Sequence, residues 1–163
     1  MNPGHFILHE KEYNEIQSVL KKLLADSYAK VVFLVDKNGS LMASSGETGS
    51  FDTTSLASLA AGNIAATGGL ASLIGEKEFS ILFHEGRKDN IHISIVGQRL
   101  ILVVIFDERS SLGLVRLRVR KASAEIERVL NEMETKSQMV GTVESLSPFA
   151  EITDDDIDAL FSE

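Results

Sequence analysis

The sequence predicts an α/β fold: a five-stranded antiparallel sheet flanked by helices, in the order α-β-β-α-β-β-β-α. Three observations carry this. Between residues 29 and 106, short β-branched or alternating runs are joined by links of hairpin length, too short for the crossover that parallel strands need. Segments with helical apolar spacing, 10–27 and 112–135, bracket those runs. A longer apolar segment, 52–75, divides the strands into a pair and a triplet.

The first helix is read at 10–27, where Tyr13, Ile16, Val19, Leu20, Leu23 and Leu24 fall on one stripe between Glu and Lys residues. Ala29 to Val35 is a β-branched run, Asp36 to Gly39 a turn with Asn38-Gly39 able to supply positive φ, and Ser40 to Ser45 the returning strand. Phe79 to Glu85, Ile91 to Val96 and Arg99 to Phe106 are the remaining strands. The last is apolar throughout from Leu100, as a central strand covered on both faces would be. Val115 to Arg120 alternates with period two. Its apolar residues nevertheless continue a helical stripe through Val119, Ala122, Ile126, Val129, Leu130 and Met133, so helix is predicted from Leu112 to Thr135. Domain boundaries follow: one domain at 1–135, a Ser- and Gly-rich flexible linker at 136–148, and an acidic amphipathic C-terminal tail at 149–163.

The segment from Asp52 to Gly75 reads as one helix, with Asp52 or Thr53 capping its start and Gly75 ending it in the left-handed conformation. Leu56, Leu59, Ala60, Thr67, Leu70 and Ile74 project to one side, which is expected to face the core. Asn63, on that side, needs a hydrogen-bond partner. The opposite side holds Ser58, Ala61, Gly62, Ala65, Gly68, Gly69 and Ser72 and no side chain larger than a hydroxyl or methyl. Each interior glycine costs a helix roughly 0.5 to 1 kcal/mol against alanine, so something is expected to approach this face closely. Two readings stand: burial on both sides within one domain, or a docking surface for another protein.

Composition narrows the function classes. With 163 residues, 44% hydrophobic and 25% charged, the chain can bury one sizeable core and is not wholesale disordered. The absence of cysteine excludes disulfides, thiolate metal sites and cysteine nucleophiles. No run approaches 18 apolar residues and no leader pattern opens the chain, which points to a cytoplasmic protein without a membrane partner. The net charge of −8 is concentrated in the tail: residues 1–148 hold all 16 bases and 18 of the 24 acids, leaving −6 on 149–163. A nearly neutral body without a basic stripe argues against nucleic acid. No Gly-x-Ser-x-Gly elbow and no P-loop is present, so nucleophilic catalysis and nucleotide binding have little support, and neither a catalytic residue nor a metal or other cofactor is expected. His84 and His92 flank a turn and could meet across strands, but two imidazoles without a third ligand are a weak metal signal. Arg87 and Arg109 in loops are guanidinium candidates for a partner's phosphate site, against the ordinary reading of solvated loop arginines.

The order of elements, the segment Asp52 to Glu76, Phe83-His-Glu-Gly86 and Val103 to Asp107 together resemble the bacterial branch of the Roadblock (dynein light chain) family, over about Tyr13 to Thr135. The tail from Ser147 to Phe161 is similar to that of the branch found in gliding bacteria. The resemblance implies a Roadblock-like homodimer whose third strands pair, with Phe79, Ile81, Phe83 and Glu85 at the dimer interface. It further implies a GTPase-activating protein for an MglA-like small Ras-like GTPase in its GTP form, serving cell polarity and motility and enriched at a cell pole. Such a protein orders the GTPase's own switch residues without an arginine finger. Ala61, Ala65, Gly68, Gly69 and Ser72 then become the GTPase-facing surface. The alternative of the same fold is a polarity scaffold that binds without stimulating hydrolysis, and a small-molecule sensor ranks after it. In the tail, Thr153 is a plausible cap and Ile157, Leu160 and Phe161 share an apolar side, the pattern of a segment that orders on binding the GTPase or a response-regulator receiver domain.

Overall fold

The computed structural model describes the backbone of residues 8–151 and the side chains of residues 8–137. Its elements are α1 (Glu10–Ser27), β1 (Val31–Asp36), β2 (Leu41–Gly46), α2 (Thr53–Leu73), β3 (Ile81–Glu85), β4 (Asn90–Val96), β5 (Leu100–Phe106) and α3 (Leu112–Glu151), with a short 3-10 turn at Thr48–Ser50. The predicted order is the observed one. Neighbouring strands are antiparallel and lie in the order β2-β1-β5-β4-β3, which leaves β3 as an edge.

Strand alternation divides the buried side chains between two faces. On one, Val31, Phe33, Val35, Ile93, Ile101, Val103 and Ile105 pack with Ala57, Ala60 and Ala61 of α2. On the other, Val32, Leu34, Leu100, Leu102, Val104 and Phe106 are equally buried, beneath the inward stripes of α1 (Ile16, Leu20, Leu23) and α3 (Val115, Val119, Ala122, Ile126). β5 is buried along its whole length, as its uninterrupted apolar run predicts.

Local chemistry fixes the connections. Asp36 closes the β1–β2 turn by accepting hydrogen bonds from the amides of Asn38 and Ser40, both at 2.9 Å. Gly46 ends β2 at φ +106°, where a Cβ would run into the Lys30 carbonyl oxygen. Backbone cannot yield there as a flexible side chain would. Gly46→Ala is therefore expected to cost about 2 to 3 kcal/mol and lower the melting temperature by several degrees in a thermal scan. Lys30 ties the other end of β1 to the β3–β4 turn, reaching Asp89 at 3.1 Å while lying 5.8 Å from the Phe51 ring centroid.

One possibility is excluded and one expectation is corrected. His84 and His92 do not approach one another: β3 and β4 pair Phe83 with His92 and His84 with Ile91, so the two imidazoles point to opposite faces. The last helix does not stop at Thr135 but runs to Glu151, across the 136–148 stretch read as a linker. Serines and Gly141 lower helix propensity without removing a backbone donor, and the first residue that does so is Pro148. The chain falls into two units, Met1–Val129 and Leu130–Glu163, the second holding the end of α3.

Candidate partner-docking surface

α2 begins as its sequence predicts. Asp52 caps it, its carboxylate accepting from the Ser55 amide at 3.1 Å and from the Ser55 hydroxyl at 2.6 Å, and these bonds hold the carboxyl below its ordinary value. Gly75 follows the helix at φ +82°.

The helix is turned differently from the expectation. Its buried residues are Ala57, Ala60, Ala61 and Ala71, a set centred roughly 90° around the helix from the predicted leucine stripe. Leu59, Leu70 and Ile74, expected in the core, are 70%, 58% and 69% exposed, and Leu73 is 84% exposed. Alanines on the sheet side let the helix lie close to β1 and β5; Leu56 and Ile64 pack partly against this core, and Leu59, Leu70, Leu73 and Ile74 are left outside. The segment is long and apolar enough to cross a membrane, but its alanine face packs on the sheet.

Asn63 finds its partner in His84, amide to imidazole at 3.0 Å. This bond marks the orientation that the alanine packing sets: the Asn63 flank of α2 faces β3, and so the exposed leucines and the edge strand border one another. β3 itself is poorly covered, with Ile81 46% and Phe83 36% exposed; the Phe83 ring stacks on Phe106 at 6.1 Å. Glu85 closes the strand and is exposed, and Phe79 lies half-buried two residues before the strand begins.

The opposite flank of α2 holds the small residues. Its N-terminal part is occupied within the chain: a Cβ on Gly39 would come within 3.1 Å of the Ser58 Cα and 3.7 Å of the Ala61 Cβ. Ala61 is accordingly a core residue and leaves the predicted partner surface. Ala65, Gly69 and Ser72 are exposed and Gly68 is half-buried. At Gly62, Gly68 and Gly69 a Cβ would meet nothing within 4 Å among the described residues. Nothing in the described fold demands three glycines there.

The arginine candidates differ. Arg87 is exposed in the β3–β4 turn. Arg109 is engaged by Asp107, whose carboxylate accepts from its Nε at 3.0 Å and from its amide at 3.0 Å, with Glu47 at 4.0 Å. The pair lowers the Asp107 carboxyl and raises the Arg109 guanidinium from their ordinary values. No group of three or more potential metal ligands occurs among the described residues. Ile157, Leu160 and Phe161 lie outside them.

Comparison with known proteins agrees with this architecture. Myxococcus xanthus MglB is 57% identical, with 78% of this chain and 96% of that one covered at a TM-score of 0.74. The gliding protein MglB of Thermus thermophilus is 32% identical over 77% of this chain and 96% of its own, at 0.73. An MglB with tetrameric arrangement is 30% identical over 77% and 95%, also at 0.73. No match was found among curated proteins. The model of the Roadblock/LC7 domain matches residues 15–106, and the chain belongs to that family.

Proposed function

We propose that this protein is the homodimeric activator of a Ras-like small GTPase of the MglA type, engaging it in its GTP form and speeding hydrolysis by ordering the GTPase's own switch residues. The observation that carries the reading is the division of α2 into two exposed flanks. A leucine flank continuous with an uncovered edge strand suits a second copy of the chain, since such edges are normally paired or blunted. The C-terminal part of the small-residue flank, where a Cβ added at Gly68 or Gly69 would meet nothing within 4 Å among the described residues, suits the close approach of a partner's backbone. Ala65, Gly68, Gly69 and Ser72 are assigned to the GTPase, and Ile81, Phe83 and Glu85, preceded by Phe79, to the dimer. The 57% identity to Myxococcus xanthus MglB supports a role in polarity and gliding motility, in the cytoplasm and enriched at a cell pole. The apolar tail residues Ile157, Leu160 and Phe161 are assigned to partner engagement, with the GTPase or a receiver domain as the target.

The test is single-turnover phosphate release from a purified MglA-type GTPase loaded with GTP, with and without this protein. Stimulation supports the activator; binding with an unchanged rate leaves the scaffold. Arginine fingers contribute about 10³ to 10⁵ in rate. Because Arg109 is already held by Asp107, Arg109→Ala is expected to keep stimulation within about threefold of wild type, far short of that range. A loss of two decades or more would make Arg109 a finger after all.

A further inference from the structure

His92 occupies an unusual place. It is 1% exposed, and neither ring nitrogen has a hydrogen-bond partner among the described residues. Ser94, two residues along the same face of β4, is also buried with its hydroxyl unpartnered there. Buried polar groups are normally paired, so two side by side mark a feature that the packing alone does not explain. Both sit directly behind the uncovered edge: Phe83 pairs with His92 and Ile81 with Ser94 across β3 and β4.

We propose that His92 makes the β3 edge proton-sensitive: neutral, it packs as an inward side chain of the sheet, and protonated it drives the β3–β4 hairpin open. Among the described residues no counter-charge stands at close range. Its cross-strand neighbours are Phe83 on β3 and Val104 on β5, and its own strand contributes Ser94 and, at the hairpin end, Asn90. On β3 the same face ends in Glu85, which is exposed. α3 contributes a positive charge, Arg116, and α1, which carries the buried Glu12, packs chiefly on β2 and β1. An imidazolium here must reach water. A way out lies past its cross-strand neighbour Phe83, which is itself 36% exposed.

Burial first and Arg116 second hold the imidazole below its ordinary value of 6.5. The unfolded or opened chain therefore takes up a proton at higher pH than the closed one. Stability is fully present above about pH 6.5, is lost as pH falls below it, and the loss is complete once the pH passes the lower, folded value. His84 lies on the other face and is not part of the device. The opening belongs to a single chain; that it also weakens self-association rests on the assignment of β3 as the pairing strand.

Hydrogen exchange at the amides of β3, corrected for its intrinsic pH dependence and followed from about pH 7.5 to 5, reads the opening directly. The wild type is expected to show exchange rising by up to about tenfold per pH unit below 6.5, one proton being taken up. His92→Leu, which removes the titrating group, is expected to abolish the rise, and Arg116→Gln to diminish it by removing the opposing charge. His84→Gln should leave it unchanged. A flat wild-type profile, or the same rise in His92→Leu, overturns the proposal. Should His92→Leu fail to fold, His92→Gln, which likewise cannot take up a proton in this range, replaces it, and the same rise in that variant overturns the proposal. Sedimentation over the same pH range is a separate reading: faster exchange without dissociation keeps the device and removes β3 as the pairing strand.

Discussion

A chain carrying Gly69→Arg is expected to melt at or slightly above the wild-type temperature and to lose at least about tenfold of its stimulation of GTP hydrolysis. The two halves of this expectation have separate causes. Replacing a helix-interior glycine by arginine relieves a propensity penalty of about 0.5 to 1 kcal/mol, and a Cβ at this position meets nothing within 4 Å among the described residues. The fold has no reason to object. A docking partner does, because a long charged side chain then stands where a backbone was to approach, and burying an unpaired charge costs several kcal/mol. Differential scanning calorimetry, sedimentation and phosphate release on the same preparation separate the outcomes. Normal stimulation removes Gly69 from the GTPase surface, whereas loss of stimulation together with dissociation moves it to the dimer interface.

The second expectation is that Leu70→Asp with Leu73→Asp weakens self-association by at least about 100-fold, equivalent to about 2.7 kcal/mol. Both leucines are largely exposed in the single chain, so their loss removes little intrachain packing. Burying a leucine side chain contributes about 1.5 to 3 kcal/mol, and a symmetric contact counts each substitution twice. Only part of that sum survives the cost of association, which still leaves two decades. A dilution series by analytical ultracentrifugation reads the change. An unchanged dissociation constant would place self-association elsewhere than on the leucine flank, and a monomeric wild type would remove the homodimer itself.

What the chain's residues determine unaided is local. The cap at Asp52, the left-handed exit at Gly75, the Asp36 to Gly39 turn and the helical stripe that overrides the alternation of Val115 to Arg120 depend on a few neighbours, and each stands where the sequence puts it. The same holds for β5, whose unbroken apolar run allows only a strand with both faces covered. The Roadblock resemblance was legible because it rests on these elements in their order.

The rotation of α2 was not legible, for a physical reason. Leu59, Leu70 and Ile74 obey the rule that apolar residues gain by leaving water, but that rule does not say which surface covers them. Within the chain the alanines win the sheet side, because close approach to β1 and β5 needs small side chains, and the leucines are left for something else. Ala61 shows the same thing in reverse: a residue assigned by size to the partner surface is taken into the core by the turn at Gly39. The isolation of His92 from His84 depends on strand register, which one residue of slip would reverse. Such properties belong to the meeting of distant segments, where packing geometry, and not the preference of any single residue, decides which face is inside.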